Sequence, residues 1–138
     1  MNKEEGLSIL ENMTIEDATA HLDSLISEKA KAIETIDIAV NEHLALKNQY
    51  ITKSNEIRIN PTQIQEEMGL NKIPTEKQQQ AHIDDKLKDL LQDIKISEEN
   101  VKSWKRKVDL LDDKITAEKY RVKMLMVILN GVYRSYDE

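Results

Sequence analysis

The chain has no cysteine and no phenylalanine, only three glycines and two prolines, and one Trp and four Tyr as its aromatic residues. Without Cys there is no disulfide framework, no zinc–thiolate site and no thiol nucleophile, which suits a reducing compartment. So few Gly and Pro residues in 138 cannot furnish the turns of a many-stranded β-sandwich or barrel. Long hydrophobic runs are missing as well. The longest covers residues 124–129, against the roughly 20 that a membrane helix needs. The opening Met1-Asn2-Lys3-Glu4-Glu5 is acidic after a single Lys and leads into no apolar run, so no secretory signal is expected. The expectation is a soluble, cytoplasmic protein with no membrane partner.

What the chain does have is charge and aliphatic residues. A third of it is charged, with a formal net charge of −6. Leu, Ile and Val make up about a quarter, above the ~20% below which disorder becomes the default. With few large side chains for a thick core, a thin helical architecture is favoured, and the length fits a single domain over residues 1–138.

Both prolines and one glycine fall between residues 60 and 74. Pro61 predicts that a helix stops near Ile59, and Pro74 that nothing helical crosses Ile73. Between them, residues 62–68 predict two helical turns with Gly69 as left-handed cap and Leu70 as its apolar follower. Long stretches on either side lack both residues. The first opens with a capping box from Thr14 to Asp17. Ile15, Leu22, Ile26, Ile33, Ile36, Val40, Leu44 and Ile51 follow at helical spacing with Ala18, Ala32 and Ala39 beside them, one broad apolar stripe. The predicted organisation is a short N-terminal helical arm (1–13), helix 1 (14–59), a Pro/Gly connector (60–74) and helix 2 (75–136).

Helix 2 opens with a second capping box, Thr75 and Gln78. Leu87, Ile94, Val101, Val108, Ile115, Val122 and Leu129 then recur at intervals of seven. Three places after each stand Leu90, Ser97, Trp104, Leu111, Glu118, Leu125 and Val132. A sustained seven-residue repeat specifies a left-handed coiled-coil seam. Ser97 and Glu118 interrupt it, as tolerated defects, as register devices or as a functional break. Helix 1 would be roughly 65 Å long and helix 2 roughly 90 Å. Folded about the connector, Ile15 is expected near residues 118–120, leaving the apolar end of helix 2 overhanging. The fold class is therefore all-α: a long antiparallel two-helix coiled-coil hairpin with a short N-terminal helix and an overhanging apolar C-terminal helix end. An exposed apolar end marks a protein interface. Self-association is expected through Met124, Leu125, Met126, Ile128, Leu129, Val132 and Tyr133.

Charge is unevenly spread. Residues 1–42 carry ten acids and three lysines, while residues 102–123 carry eight bases and four acids. The bases are Lys102, Lys105, Arg106, Lys107, Lys114, Lys119, Arg121 and Lys123, with Trp104 and Tyr120 among them. Basic groups interleaved with aromatics suit single-stranded nucleic acid, cations to phosphates and rings to bases. The alternative is that the hairpin sets this run beside the acidic helix 1, where interhelical ion pairs account for both.

Signals for catalysis are poor. His21, His43 and His82 are scattered and belong to no Glu-x-x-His or His-Glu-x-x-His pattern. His82 with Asp85, and Asp109 with Asp112 and Asp113, share helix faces without further support for a metal. There is no Gly-rich phosphate loop and no arguable Ser-His-Asp arrangement. No enzyme, metal or cofactor is expected.

Asp84-Asp85 followed by Leu87 and Leu90, then Leu111-Asp112, Ile115 and Tyr120-Arg121-Val122-Lys123, resemble the C-terminal helix of the UvsY family of phage recombination mediator proteins. The resemblance covers about residues 80–128. It implies a small all-helical protein that assembles into rings, binds single-stranded DNA and helps load a RecA-type recombinase, in host cytoplasm if phage-encoded. It places Lys123 and the apolar run after it in the oligomerising helix. The family tends to be basic, whereas this chain is acidic. The expected function is a non-enzymatic, oligomeric mediator of this type. The alternative is a coiled-coil scaffold or adaptor that binds only proteins, such as a phage structural protein, a chaperone or an inhibitor of a host factor.

Overall fold

The computed structural model describes the backbone of residues 3–137 and the side chains of residues 15–131. Four helices follow one another: α1 (Lys3–Arg58), α2 (Pro61–Met68), α3 (Glu76–Lys86) and α4 (Lys88–Asp137). No strand occurs among the described residues. The fold is an all-α helical hairpin in which α1 and α4 pack against each other.

The connector is built as its residues dictate. α1 ends at Arg58, just ahead of Pro61. Asn60 caps α2 with its side chain, accepting from the Gln63 N–H at 3.4 Å, and Pro61 takes the first helical position, where no N–H is needed. α2 closes in a Schellman turn. Gly69 stands at φ 66°, its N–H donates to the Glu66 carbonyl, and the Leu70 N–H donates to the Gln65 carbonyl. Thr75 and Gln78 form the expected capping box at the start of α3, with both reciprocal bonds present.

Two boundaries differ from expectation. No break separates residues 1–13 from the next helix, because α1 is one element from Lys3. The Thr14–Asp17 pair sits mid-helix, where the backbone N–H groups already have partners and a cap has nothing to bind. The second long helix is interrupted for one residue. Leu87, at φ −100° and ψ 21°, separates α3 from α4, while the Leu87 N–H still reaches the Ile83 carbonyl and the Leu91 N–H that of Leu87.

The chain divides into two compact units. The first comprises Met1–Thr35 and Trp104–Glu138. Its core is Leu25 and Ala32 from α1 against Leu111 and Ile115 from α4, with Leu22, Trp104 and Val108 packed around them. His21 lies beside Glu118 and Lys29 beside Asp112, so Ile15 stands opposite residues 124–125 and not 118–120. α1 also has as many residues before Ile15 as α4 has after Leu125. The register thus differs from the expected one by about six residues, while the packing of α4 beyond residue 131 and of α1 before residue 15 lies outside the described side chains.

In α4 the seven-residue seam faces inward. Val101, Leu111, Ile115 and Glu118 are buried, and every other seam position from Leu87 to Leu129 is half-buried. On α1 the expected stripe is displaced. Ala18, Leu25 and Ala32 are 1%, 5% and 3% exposed, whereas Ile26 and Ile33 are 45% and 44% exposed. Two alanines and Leu25 face α4, and Ile26 and Ile33 stand a step further round the helix. An alanine seam lets two helix backbones approach closely, which a row of β-branched side chains would prevent.

The second unit is Ile36–Ser103. Here α2 docks on α3, burying Ile64 and Ile83 almost completely. Glu67 of α2 clamps the pair. Its Oε2 lies 2.6 Å from His82 Nε2 and 2.6 Å from Lys86 Nζ, and its Oε1 accepts from Lys86 at 2.8 Å and from Gln63 at 3.2 Å. A polar network joins α3 to α1. Tyr50 donates to Asp84 at 2.8 Å, Gln80 donates to both Tyr50 and Asp84, and Arg58 donates to Gln80. His43 Nδ1 and Ser97 Oγ are 2.6 Å apart, and the Ser97 hydroxyl donates to the Ile94 carbonyl.

Candidate nucleic-acid interface

All eight basic residues singled out between Lys102 and Lys123 are exposed. Lys102 is held by Glu98 and Glu99 of its own helix, at 3.6 and 3.8 Å. Arg121 donates to Glu118 at 3.2 Å. Lys105, Arg106, Lys107, Lys114, Lys119 and Lys123 make no ion pair among the described residues.

Among the described residues no carboxylate of α1 forms an ion pair with them, although Glu28 lines the groove beside Lys107. The cross-helix ionic contacts described in the first unit are Lys29 with Asp112 and His21 with Glu118. In both, α1 supplies the nitrogen and α4 the carboxylate, the reverse of the pairing that charge counts suggest. The reason lies in the alanine seam. Glu16, Asp23 and Glu34 sit on the far side of α1 from Ala18, Leu25 and Ala32, and are exposed there.

The eight residues do not form one face. Side chains seven apart on a helix share a side. Lys107, Lys114 and Arg121 are such a row. Lys105 and Lys119 form another, with Asp112 midway between them. The groove lined by Glu28, Lys31, Thr35, Trp104 and Lys107 lies on the first side of the seam. The Lys29–Asp112 ion pair marks the second. On the first side α4 presents no exposed acid between Trp104 and Arg121, since Glu118 is 8% exposed and already bonded to Arg121. Lys107 Nζ stands 4.7 Å from the centre of the half-buried Trp104 ring, within cation–π range. Lys31 joins this cluster from α1. Sequence reading missed it, because it stands alone in an acidic run and only tertiary packing brings it to the groove.

The residues expected to self-associate separate by depth. Leu125 and Leu129 are half-buried in the seam, while Met124, Met126 and Ile128 are exposed. The side chains of Val132 and Tyr133 lie outside the described residues. Val127 and Tyr120, exposed by 59% and 65%, extend the outer patch. Tyr120, Met124, Val127 and Ile128 fall at spacings of four, three and one, which is one face of a helix. Tyr120 stands about 100° round the helix from the Lys107 row, which Ile128 continues seven residues after Arg121, and Trp104 is the aromatic residue that borders the row.

Nothing in the clusters suggests metal chemistry. Among the described residues no three His, Asp or Glu side chains converge as a metal site requires. His82 turns to Glu67 and not to Asp85. No described helix is long and apolar enough to cross a membrane. No protein-family model, no curated protein and no solved structure matches this chain.

Proposed function

We propose that the chain is a non-catalytic, self-associating helical protein that holds single-stranded nucleic acid along the flank of α4 formed by Lys107, Lys114 and Arg121, with Lys31 and Trp104 beside it. A recombination mediator of the UvsY type, acting with a RecA-type recombinase, is the specific role we assign to that activity. The observation that carries the reading is the absence of any α1 acid paired with an α4 base among the described residues. Lys107 and Lys114 are solvated and free to exchange counterions for phosphates, while Arg121 keeps one bond to Glu118. Three bases at intervals of seven span about 21 Å along the helix, a track and not a point.

Self-association rests on the outer face of Tyr120, Met124, Val127 and Ile128, whose exposed apolar area water disfavours. The same face supports a second reading, a scaffold that binds only proteins.

Binding of a fluorescent single-stranded oligonucleotide, titrated at several salt concentrations, separates the two. A mediator shows a steep salt dependence. The triple variant Lys107→Glu, Lys114→Glu, Arg121→Glu should lose most binding and flatten the log–log salt slope by about 2, at ~0.7 per phosphate contact. Lys105→Glu with Lys119→Glu should act far more weakly. If no salt-sensitive binding is seen with the parent chain, the scaffold reading stands. Ile128→Asp should lower the mass in solution in either case.

A further inference from the structure

The isoleucine ridge of α1 is the largest feature of the first unit that the preceding reading leaves unused. Ile26 and Ile33 are nearly half exposed while the neighbouring Ala18 and Ala32 are buried. α1 packs Ala18, Leu22, Leu25 and Ala32 towards α4 and still presents Ile26 and Ile33 to water, so a second apolar strip is turned outward. Ile26 and Ile33 are seven residues apart, as are Ile15 and Leu22, the repeat a second helix would follow.

What covers the ridge is indicated by the charges along its two edges. The Lys29–Asp112 pair shows which side of the seam the ridge borders. Leu22 and Lys29 share a row seven apart, with Ile26 and Ile33 four residues on. Beyond the ridge, on the side of α1 away from α4, stand the exposed Glu16, Asp23 and Glu34. Across the seam, in the row of Asp112 and the row next to it on α4, stand the exposed Lys105, Lys119 and Lys123, which outnumber the exposed Asp109 there, Asp112 being paired with Lys29. An apolar strip therefore runs between an acidic edge and a basic edge.

We infer that this ridge is the contact with a second copy of the chain, the two α1 helices lying parallel with a twofold axis along their length. That axis exchanges left for right without reversing the helix, so each copy's acidic edge meets the other's basic edge and ridge meets ridge. A twofold axis across the helices would instead set acid against acid and base against base, which costs both affinity and encounter rate. The ridge lies on the opposite side of the seam from the Lys107 row, so pairing through it leaves that row open. It is also separate from the C-terminal outer face, so a chain with both contacts can extend an assembly beyond a dimer.

The absence of cysteine allows a direct test in the full-length chain. Ile26→Cys, Ile33→Cys and, as an off-ridge control, Ser27→Cys are made singly, each with Ile128→Asp to remove the C-terminal contact, and oxidised at micromolar concentration. In the parallel arrangement both ridge variants form disulfide-linked dimers, at least about tenfold faster than the control, because docking raises the local thiol concentration. Cross-linking at only one ridge position, at neither, or no faster than at residue 27 overturns the proposal. In the Ile128→Asp background, Ile26→Asp with Ile33→Asp should abolish the dimer mass while circular dichroism still shows full helicity; a dimer that persists overturns it equally. Oligonucleotide binding by the same variants is read separately, so failure here is distinct from failure of the nucleic-acid reading.

Discussion

Nδ1 of His21 lies 3.4 Å from Oε2 of Glu118, the residue that interrupts the apolar seam of α4 in the first unit. The other interruption, Ser97, meets His43 in the second unit. Each polar break in α4 is thus matched by a histidine of α1. A polar pair across an apolar seam favours one register, because a slip would take His21 from the buried Glu118. His21→Leu should cost about 1 kcal/mol, since Glu118 keeps only Arg121. Adding Glu118→Leu should recover most of that loss or exceed it, because a packed leucine replaces a desolvated carboxylate. Denaturant melts of both single variants and the double variant check this, and strictly additive losses would refute the pairing.

Glu67 gives the second unit a response to acid. Its carboxyl is lowered from 4.5 to about 2, first by the hydrogen bond from Lys86, then by those from His82 and Gln63. A folded-state value below the unfolded one means that the clamp contributes stability above pH 4.5 and loses it as pH falls towards 2. The pairing of α2 with α3 should therefore loosen in that window. Glu67→Gln should flatten the response between pH 4.5 and 2, measured as hydrogen exchange at the Ile64 and Ile83 amides.

Ile64 and Ile83 are the most completely buried large side chains, at 1% and 0% exposure. Truncating either to alanine leaves a cavity at the junction of α2 and α3 and should cost about 2–5 kcal/mol. A loss below about 1 kcal/mol in a urea melt would mean that α2 contributes little to folding.

Ser54 is buried, and its hydroxyl has no hydrogen-bond partner among the described residues. Ser54→Ala removes the cost of that desolvated group at nearly the same volume and should stabilise the chain by about 1 kcal/mol. A lower melting temperature would indicate that the hydroxyl makes a bond in solution.

Much of this was legible in the chain. The inward side of α4, the Schellman turn at Gly69 and the box at Thr75 were read from sequence because each is a local or strictly periodic signal. The side of α1 was not. A broad apolar stripe with alanines along one edge is compatible with packing on either edge, and the choice is made by how closely α4 can approach. The Thr14 box failed for a related reason: a capping motif acts only where a helix begins, and no Gly or Pro forces α1 to begin there. The grouping of bases followed spacing, yet one contiguous run hid two opposite rows, and Lys31 became visible only once the helices were side by side.

The alanine seam of α1 has a consequence for how this chain tolerates change. In most helices a bulky aliphatic residue is the one that cannot be lost and an alanine the one that can be enlarged. Here the order is inverted: a larger side chain at residue 18 or 32 would push α1 off α4, whereas Ile26 or Ile33 could be shortened with the hairpin hardly affected. Sequence variants that keep the intramolecular fold should therefore hold Ala18 and Ala32 small and Leu25 large, and let Ile26 and Ile33 drift, unless a second surface holds those two as well.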